Sequence, residues 1–189
     1  DPNPKPNPNP NQAEACLRWG NFYCATASQL IEEEGAGHAG GAGGAGPRWP
    51  GAAVIYANTD SVFVRLPGRS PTEAATQGRE MAEYVSSHSK LPAALTLEYE
   101  RVLSPCLLDG HNRYAGAEYV SGTEPQPSLL QKGLFERGQC KYVQATLRGA
   151  LQRLLVEGRC APPAGPMHAH AHAHAHMHVT SASAWVRLP

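Results

Sequence analysis

Apolar and polar side chains alternate strictly where Leu95, Leu97 and Tyr99 interleave with Thr96, Glu98 and Glu100. That is the period-two signature of a strand with one buried and one polar face. Glu98 and Glu100 share the polar face. A second run, Arg113–Val120, follows a turn at Asp109-Gly110, so residues 95–120 predict an antiparallel pair joined by a short loop. Upstream, residues 53–64 (AVIYANTDSVFV) set two β-branched and aromatic runs on either side of the polar centre Ala57–Asp60, the pattern of a tight hairpin.

Three segments carry helical signals. Ala25–Glu34 (ATASQLIEEE) predicts a short helix that the following glycines stop. Ser70-Pro71-Thr72-Glu73 combines an N-cap Ser, a Pro at the first helical position and a Glu three residues after the cap. The helix it opens repeats Ala74, Gly78, Met81, Ala82 and Val85 on one stripe and ends near His88. From Lys141 to Glu157 the positions Val143, Leu147, Ala150, Leu151, Leu154 and Leu155 recur at helical spacing, with Gly158 as the C-terminal cap. The order strand, strand, helix, strand, strand, helix describes an α+β unit with an antiparallel sheet.

Composition narrows the foldable region. Of 189 residues, 19 are Gly and 17 are Pro, concentrated in tracts. Residues 1–12 form a Pro/Asn tract expected to be disordered, 13–34 hold the possible helix, and 35–48 form a Gly/Ala linker or insertion. Residues 161–189, rich in His and Ala, are expected to be a disordered tail, which leaves about 110 residues able to build a core. Sixteen basic and sixteen acidic residues cancel, so nucleic acid is not held by net charge and any such contact is local. No run of eighteen apolar residues predicts a membrane span. Cys16, Cys24, Cys106, Cys140 and Cys160 are an odd, scattered set with no Cys-x-x-Cys pair, the usage expected of reduced intracellular thiols. The first residue is Asp1, as expected of a piece of a longer product.

Two features carry candidate chemistry. Asp60 at the hairpin tip offers an oxygen ligand of the kind that holds Mg²⁺, although Asn58, Thr59 and Asp60 are also ordinary turn residues. His168, His170, His172, His174, His176 and His178 would stand about 7 Å apart on one face of an extended tail and could take Ni²⁺, Zn²⁺ or Cu²⁺. That tail has no fixed geometry or supporting shell, and low-complexity drift is the favoured reading.

The run Val54–Val64 (VIYANTDSVFV) resembles motif C of the B-family DNA polymerases, YGDTDS on a palm hairpin. The resemblance continues in order. Leu97–Leu107 (LEYERVLSPCL) looks like the family's strand with a Phe-Glu-Lys type triplet, Asn112–Gly116 (NRYAG) is similar to its Lys-Lys-Arg-Tyr-x-Gly element, and Lys132-Gly133-Leu134 to its step into the thumb. Cys140–Leu155 fits the thumb helix that follows, so residues 49–160 are covered. Trp49–Ala52 and Phe63–Ser70 resemble the zeta branch more than the delta branch.

The resemblance implies a partial palm over residues 49–120 and the start of an α-helical thumb over 121–160. It also implies nucleotidyl transfer at two Mg²⁺ ions, with primer-template DNA, deoxynucleoside triphosphates and, in a full-length protein, accessory subunits as partners in the nucleus. Asp60 matches the retained metal-binding aspartate, Asn58 stands where the other aspartate belongs, and Ala57 replaces a glycine. Glu100 matches the family's glutamate on the neighbouring strand, and Glu98 reads as a solvated charge. Asn112, Arg113, Tyr114 and Lys132 fall on positions that touch primer-template DNA, with His111 and Asn112 in place of two lysines. Lys141, Arg148 and Arg153 form the wet face of the last helix, and KGLFER is shorter than the family's Lys-Gly-x-x-x-x-Arg-Arg pattern. Neither an Asp-x-x-Ser-Leu-Tyr-Pro run nor a Lys-x-x-x-Asn-Ser-x-Tyr-Gly helix occurs. The expectation is a chain that does not polymerise alone, a diverged non-catalytic remnant being the alternative, and one left poorly soluble by an uncovered sheet face.

Overall fold

In the computed structural model, which describes residues 10–36, 46–58, 60–135, 138–158, 178–180 and 183–187, the first helix is far longer than its sequence pattern predicts. Helix α1 runs Pro10–Ala36, taking in the end of the Pro/Asn tract and the start of the Gly/Ala tract. Its second half buries Cys24, Ala27, Leu30 and Ile31 on one stripe, whereas Leu17, Trp19 and Phe22 in its first half are more than half exposed. Trp19 stacks on Tyr23 at 5.6 Å between ring centroids, and Phe22 meets both rings edge-on. Periodicity does not reveal that first half because its aromatic and small residues form no apolar stripe.

The chain divides into two units. The first holds residues 1–64, 78–99 and 185–189. Here β1 (Ala53–Asn58) and β2 (Ser61–Arg65) are hydrogen-bonded neighbours that make the expected hairpin. α1 packs on β1. Val62, Phe63 and Val64 are all fully buried, so β2 is covered on both faces, as a continuous apolar run requires. Helix α2 spans Pro71–Ser87, and its second half brings Met81, Ala82 and Val85 to this core. Trp49 is buried, its Nε1–H donating to Glu80 at 3.4 Å and its ring edge-on to Tyr84. Arg48 lies over both rings.

The second unit holds residues 65–77 and 100–184. The capping box at the start of α2 forms as predicted, with the Ser70 N–H donating to Glu73 at 2.8 Å and the Glu73 N–H donating to the Ser70 hydroxyl at 3.3 Å. Strand β3 (Glu98–Gly110) pairs antiparallel with β4 (Arg113–Tyr119), and β4 with β5 (Ser128–Lys132). Helix α3 (Lys141–Leu151) passes directly into a π-helical turn, Gln152–Val156, which packs on β4 and β5. Leu107, Ala115, Leu151 and Leu155 form its core, and Gly158 takes the left-handed conformation at φ 64° expected of a cap.

Several expectations shift. The alternation at Leu95 and Leu97 precedes the strand. Leu97 is held by Ser86, whose hydroxyl accepts its N–H at 2.7 Å, and β3 begins at Glu98. Strand β5 falls in a segment whose apolar run, Leu129-Leu130, is too short to signal a strand. Strands β6 (His178–Thr180) and β7 (Ser183–Arg187) lie in the region expected to be a disordered tail, and the β6 ladder runs along Cys106–Leu108 of β3. The other histidines of the tail, His168 to His176, lie outside the described residues, as do most of the Pro/Asn and Gly/Ala tracts. Helices and antiparallel sheet together make the expected α+β mix. No helix among the described residues is long and apolar enough to cross a membrane.

Candidate active site

The β1–β2 turn places Asn58 and Asp60 together, both partly buried, while Thr59 between them lies outside the described residues. Helix α1 reaches this turn from below. The Cys24 thiol donates to the Asn58 carbonyl at 2.8 Å and lies 3.5 Å from the Ser61 carbonyl. Burial pushes that thiol up to about 11, the Ser61 contact pulls it back, and the charge of Asp60 pushes it up again. The thiol therefore keeps its proton here and donates it to the turn. Among the described residues, no group of three or more His, Cys, Asp or Glu is placed to hold a metal ion.

The donors on this turn do not fit a pair of divalent cations. Asp60 supplies one carboxylate and Asn58 one neutral amide oxygen, whereas a two-metal site needs several anionic oxygens to bridge its ions.

Glu100 belongs to the second unit, in a charged row that sequence reasoning did not find. Arg101 donates to Glu100 at 2.5 Å and also to Glu118 on β4, and Ser128 on β5 donates to the other Glu118 oxygen at 2.9 Å. The row crosses three strands and sets two carboxylates against one guanidinium. Glu100 Oε2 is buried and has no hydrogen-bond partner among the described residues, so this carboxylate is half committed. The signal in the sequence was the adjacent Glu100-Arg101 pair, but only the β3–β4–β5 register brings Glu118 and Ser128 to it. Glu98 is exposed, as a solvated charge should be.

The four residues expected to touch DNA come together at one edge of the second unit. Asn112 turns the chain between β3 and β4 with φ 56°, Arg113 opens β4, and Tyr114 is in register with Lys132. Lys132 Nζ stands 5.8 Å from the Tyr114 ring centroid. Gly133 is required there, because a Cβ at that position would come within 2.2 Å of the Asn112 carbonyl oxygen. Two details differ from a set of free contacts. Arg113 is ion-paired to Asp109 at 2.7 Å, and Tyr114 is only 2% exposed, so its ring supports Lys132 from beneath. Lys141 and Arg148 on α3 and Arg153 in the π-helical turn are exposed, with Arg148 lying over the Phe135 ring at 5.3 Å.

Comparison with known proteins agrees with the ordered motifs. The family model of DNA polymerase family B matches residues 11–182. The DNA polymerase delta catalytic subunit of Mesocricetus auratus is 39% identical over 108 residues, 56% of this chain and 10% of that protein. The DNA polymerase zeta catalytic subunits of Arabidopsis thaliana and Homo sapiens are 36% identical over 103 residues and 35% over 114, covering 53% and 59% of this chain but 5% and 4% of those proteins. The chain thus spans a tenth or less of the length of these relatives, and its identities to the delta and zeta branches overlap.

Proposed function

Because this chain belongs to DNA polymerase family B, we propose that it is the palm-to-thumb portion of a DNA-directed DNA polymerase and that these 189 residues alone do not extend a primer. In complete form such a polymerase extends a primer on a DNA template with deoxynucleoside triphosphates and Mg²⁺, in the nucleus and with accessory subunits. The zeta-like, translesion character rests on Trp49–Ala52 and Phe63–Ser70. What these residues do themselves is positional: the hairpin presents Asp60, and the Asn112–Tyr114 turn with Lys132 presents a small cationic edge to a duplex backbone.

The observation that carries the inactivity is Asn58. An amide at that position removes one of the two charges on the turn and leaves Asp60 as its lone carboxylate. The same observation favours the second reading, a diverged remnant that serves as a non-catalytic interaction module.

Primer extension by the purified chain, with Mg²⁺ and with Mn²⁺, tests the proposal beside Asp60→Ala. No extension is expected. Extension that Asp60→Ala abolishes would overturn the inactivity. Fluorescence anisotropy with a labelled primer-template then separates the two readings: salt-sensitive binding supports the polymerase portion, and absence of binding at low salt supports the remnant.

A further inference from the structure

Cys24 is a buried thiol that no polymerase chemistry uses, and it meets the hairpin at the one place where chemistry is expected. It is 3% exposed and sits in the half of α1 seated on β1. That seat is firm. The Gly35 backbone approaches Ala52 so closely that a Cβ would come within 2.5 Å of its carbonyl oxygen, and Glu32 accepts the Val54 N–H at 3.3 Å. Helix and strand therefore run antiparallel, with Gly35 beside the start of β1 and Cys24 beside its end. At about 1.5 Å per helical residue and 3.3 Å per strand residue, the two elements cover matching lengths between these contacts.

We propose that Cys24 is a positioning residue: from α1, its thiol closes the Asn58–Ser61 turn and holds Asp60 in place without a cation. The two carbonyls it meets flank Asp60 on either side, at 2.8 Å and 3.5 Å. A turn carrying two carboxylates is pushed apart by its own charge and is drawn together by a bound cation. Here the amide of Asn58 removes that repulsion, and the thiol proton ties both flanks of the turn to a helix. One S–H serves one acceptor at a time, so the tie alternates between Asn58 and Ser61. Asp60 is then held alike in a chelator and in a divalent cation. This holds whether or not the chain extends a primer.

Hydrogen exchange of the full chain, read on backbone amides of residues 53–65, tests this. In EDTA, Cys24→Ala should exchange about five- to tenfold faster at the turn than wild type, while amides of 113–119 stay unchanged. Cys24→Ser, which restores a donor, should return the turn to within about twofold of wild type, and Cys106→Ala, which removes a buried thiol elsewhere, should leave the turn alone. Adding Mn²⁺ to wild type should change nothing at the turn. Equal exchange in wild type and Cys24→Ala, a Ser variant that behaves as Ala does, or wild-type protection that appears only with Mn²⁺ would each overturn the proposal. Should Cys24→Ala not fold, native-state alkylation of the wild type decides. Cys24 must label with the slow opening of the turn, and labelling as fast as exposed Cys16 overturns the assignment.

Discussion

Gly116 on β4 lies so close to Leu103 on β3 that a Cβ added to the glycine would stand 2.9 Å from the Leu103 Cβ and 3.0 Å from the Pro105 carbonyl oxygen. The register between β3 and β4 shifts between Leu103 and Cys106, where Pro105 has no N–H to give the ladder, and the backbone of the one extra residue fills the space a side chain would need. Gly116→Ala is therefore expected to destabilise the chain by about 1–3 kcal/mol, the usual cost of forcing atoms into a packed site. Urea unfolding followed by circular dichroism measures it, and an unchanged midpoint would contradict the close approach.

Arg101 joins Glu100 and Glu118 across β3 and β4, with the three side chains between 14% and 24% exposed. Replacing Arg101 by Met leaves two carboxylates facing each other in a poorly hydrated place. The expected loss is about 1–2 kcal/mol after allowance for partial exposure. Arg101→Met combined with Glu118→Gln should recover part of it, and a thermal denaturation cycle over the four proteins reads the coupling.

The loop after β4 is expected to respond to pH. Glu124 accepts the Ser121 N–H at 2.7 Å, the Val120 N–H at 3.1 Å, the Ser121 hydroxyl at 2.9 Å and the Gly122 N–H at 3.0 Å. The Ser121 backbone bond first, then the other local bonds, lower its carboxyl from an ordinary 4.5 to about 2. A folded-state value below the unfolded one means that the contribution to stability is fully present above about pH 4.5 and is lost as pH falls toward 2. Glu124→Gln should flatten that part of the acid-unfolding profile by lowering stability at neutral pH, and leave stability near pH 2 almost unmoved.

Lys132 is an exposed cation at the edge formed with Asn112 and Tyr114, where Arg113, also exposed, is already engaged by Asp109. Lys132→Ala should weaken primer-template binding to a similar degree for different sequences and lower the slope of log affinity against log salt by about one. Anisotropy titrations at several salt concentrations give both quantities. A loss of affinity that leaves the salt slope unchanged would remove Lys132 from the phosphate contacts.

Trp19 and Phe22 are 58% and 55% exposed, whereas Trp49 is 1% exposed. Acrylamide should quench a large part of the tryptophan emission in wild type and markedly less in Trp19→Phe. Dye binding and light scattering should fall in Trp19→Ser, because that change breaks a contiguous aromatic patch on α1.

What the sequence alone determined lies within short stretches of chain. The Ser70–Glu73 box, the β1–β2 hairpin, the turn end of the β3–β4 pair and the helix from Lys141 are all set by partners a few residues apart, where periodicity and capping act. The family resemblance came from the same local runs, and so did the amide at Asn58. What only the tertiary structure decided depends on residues far apart. Cys24 meets Asn58 across 34 positions, Arg101 meets Glu118 across 17, and the burial of Tyr114 follows from its neighbours on other strands. A thiol under a turn, a guanidinium between two strands and a tyrosine supporting a lysine leave no mark in local pattern, because packing and register choose them after the elements have formed.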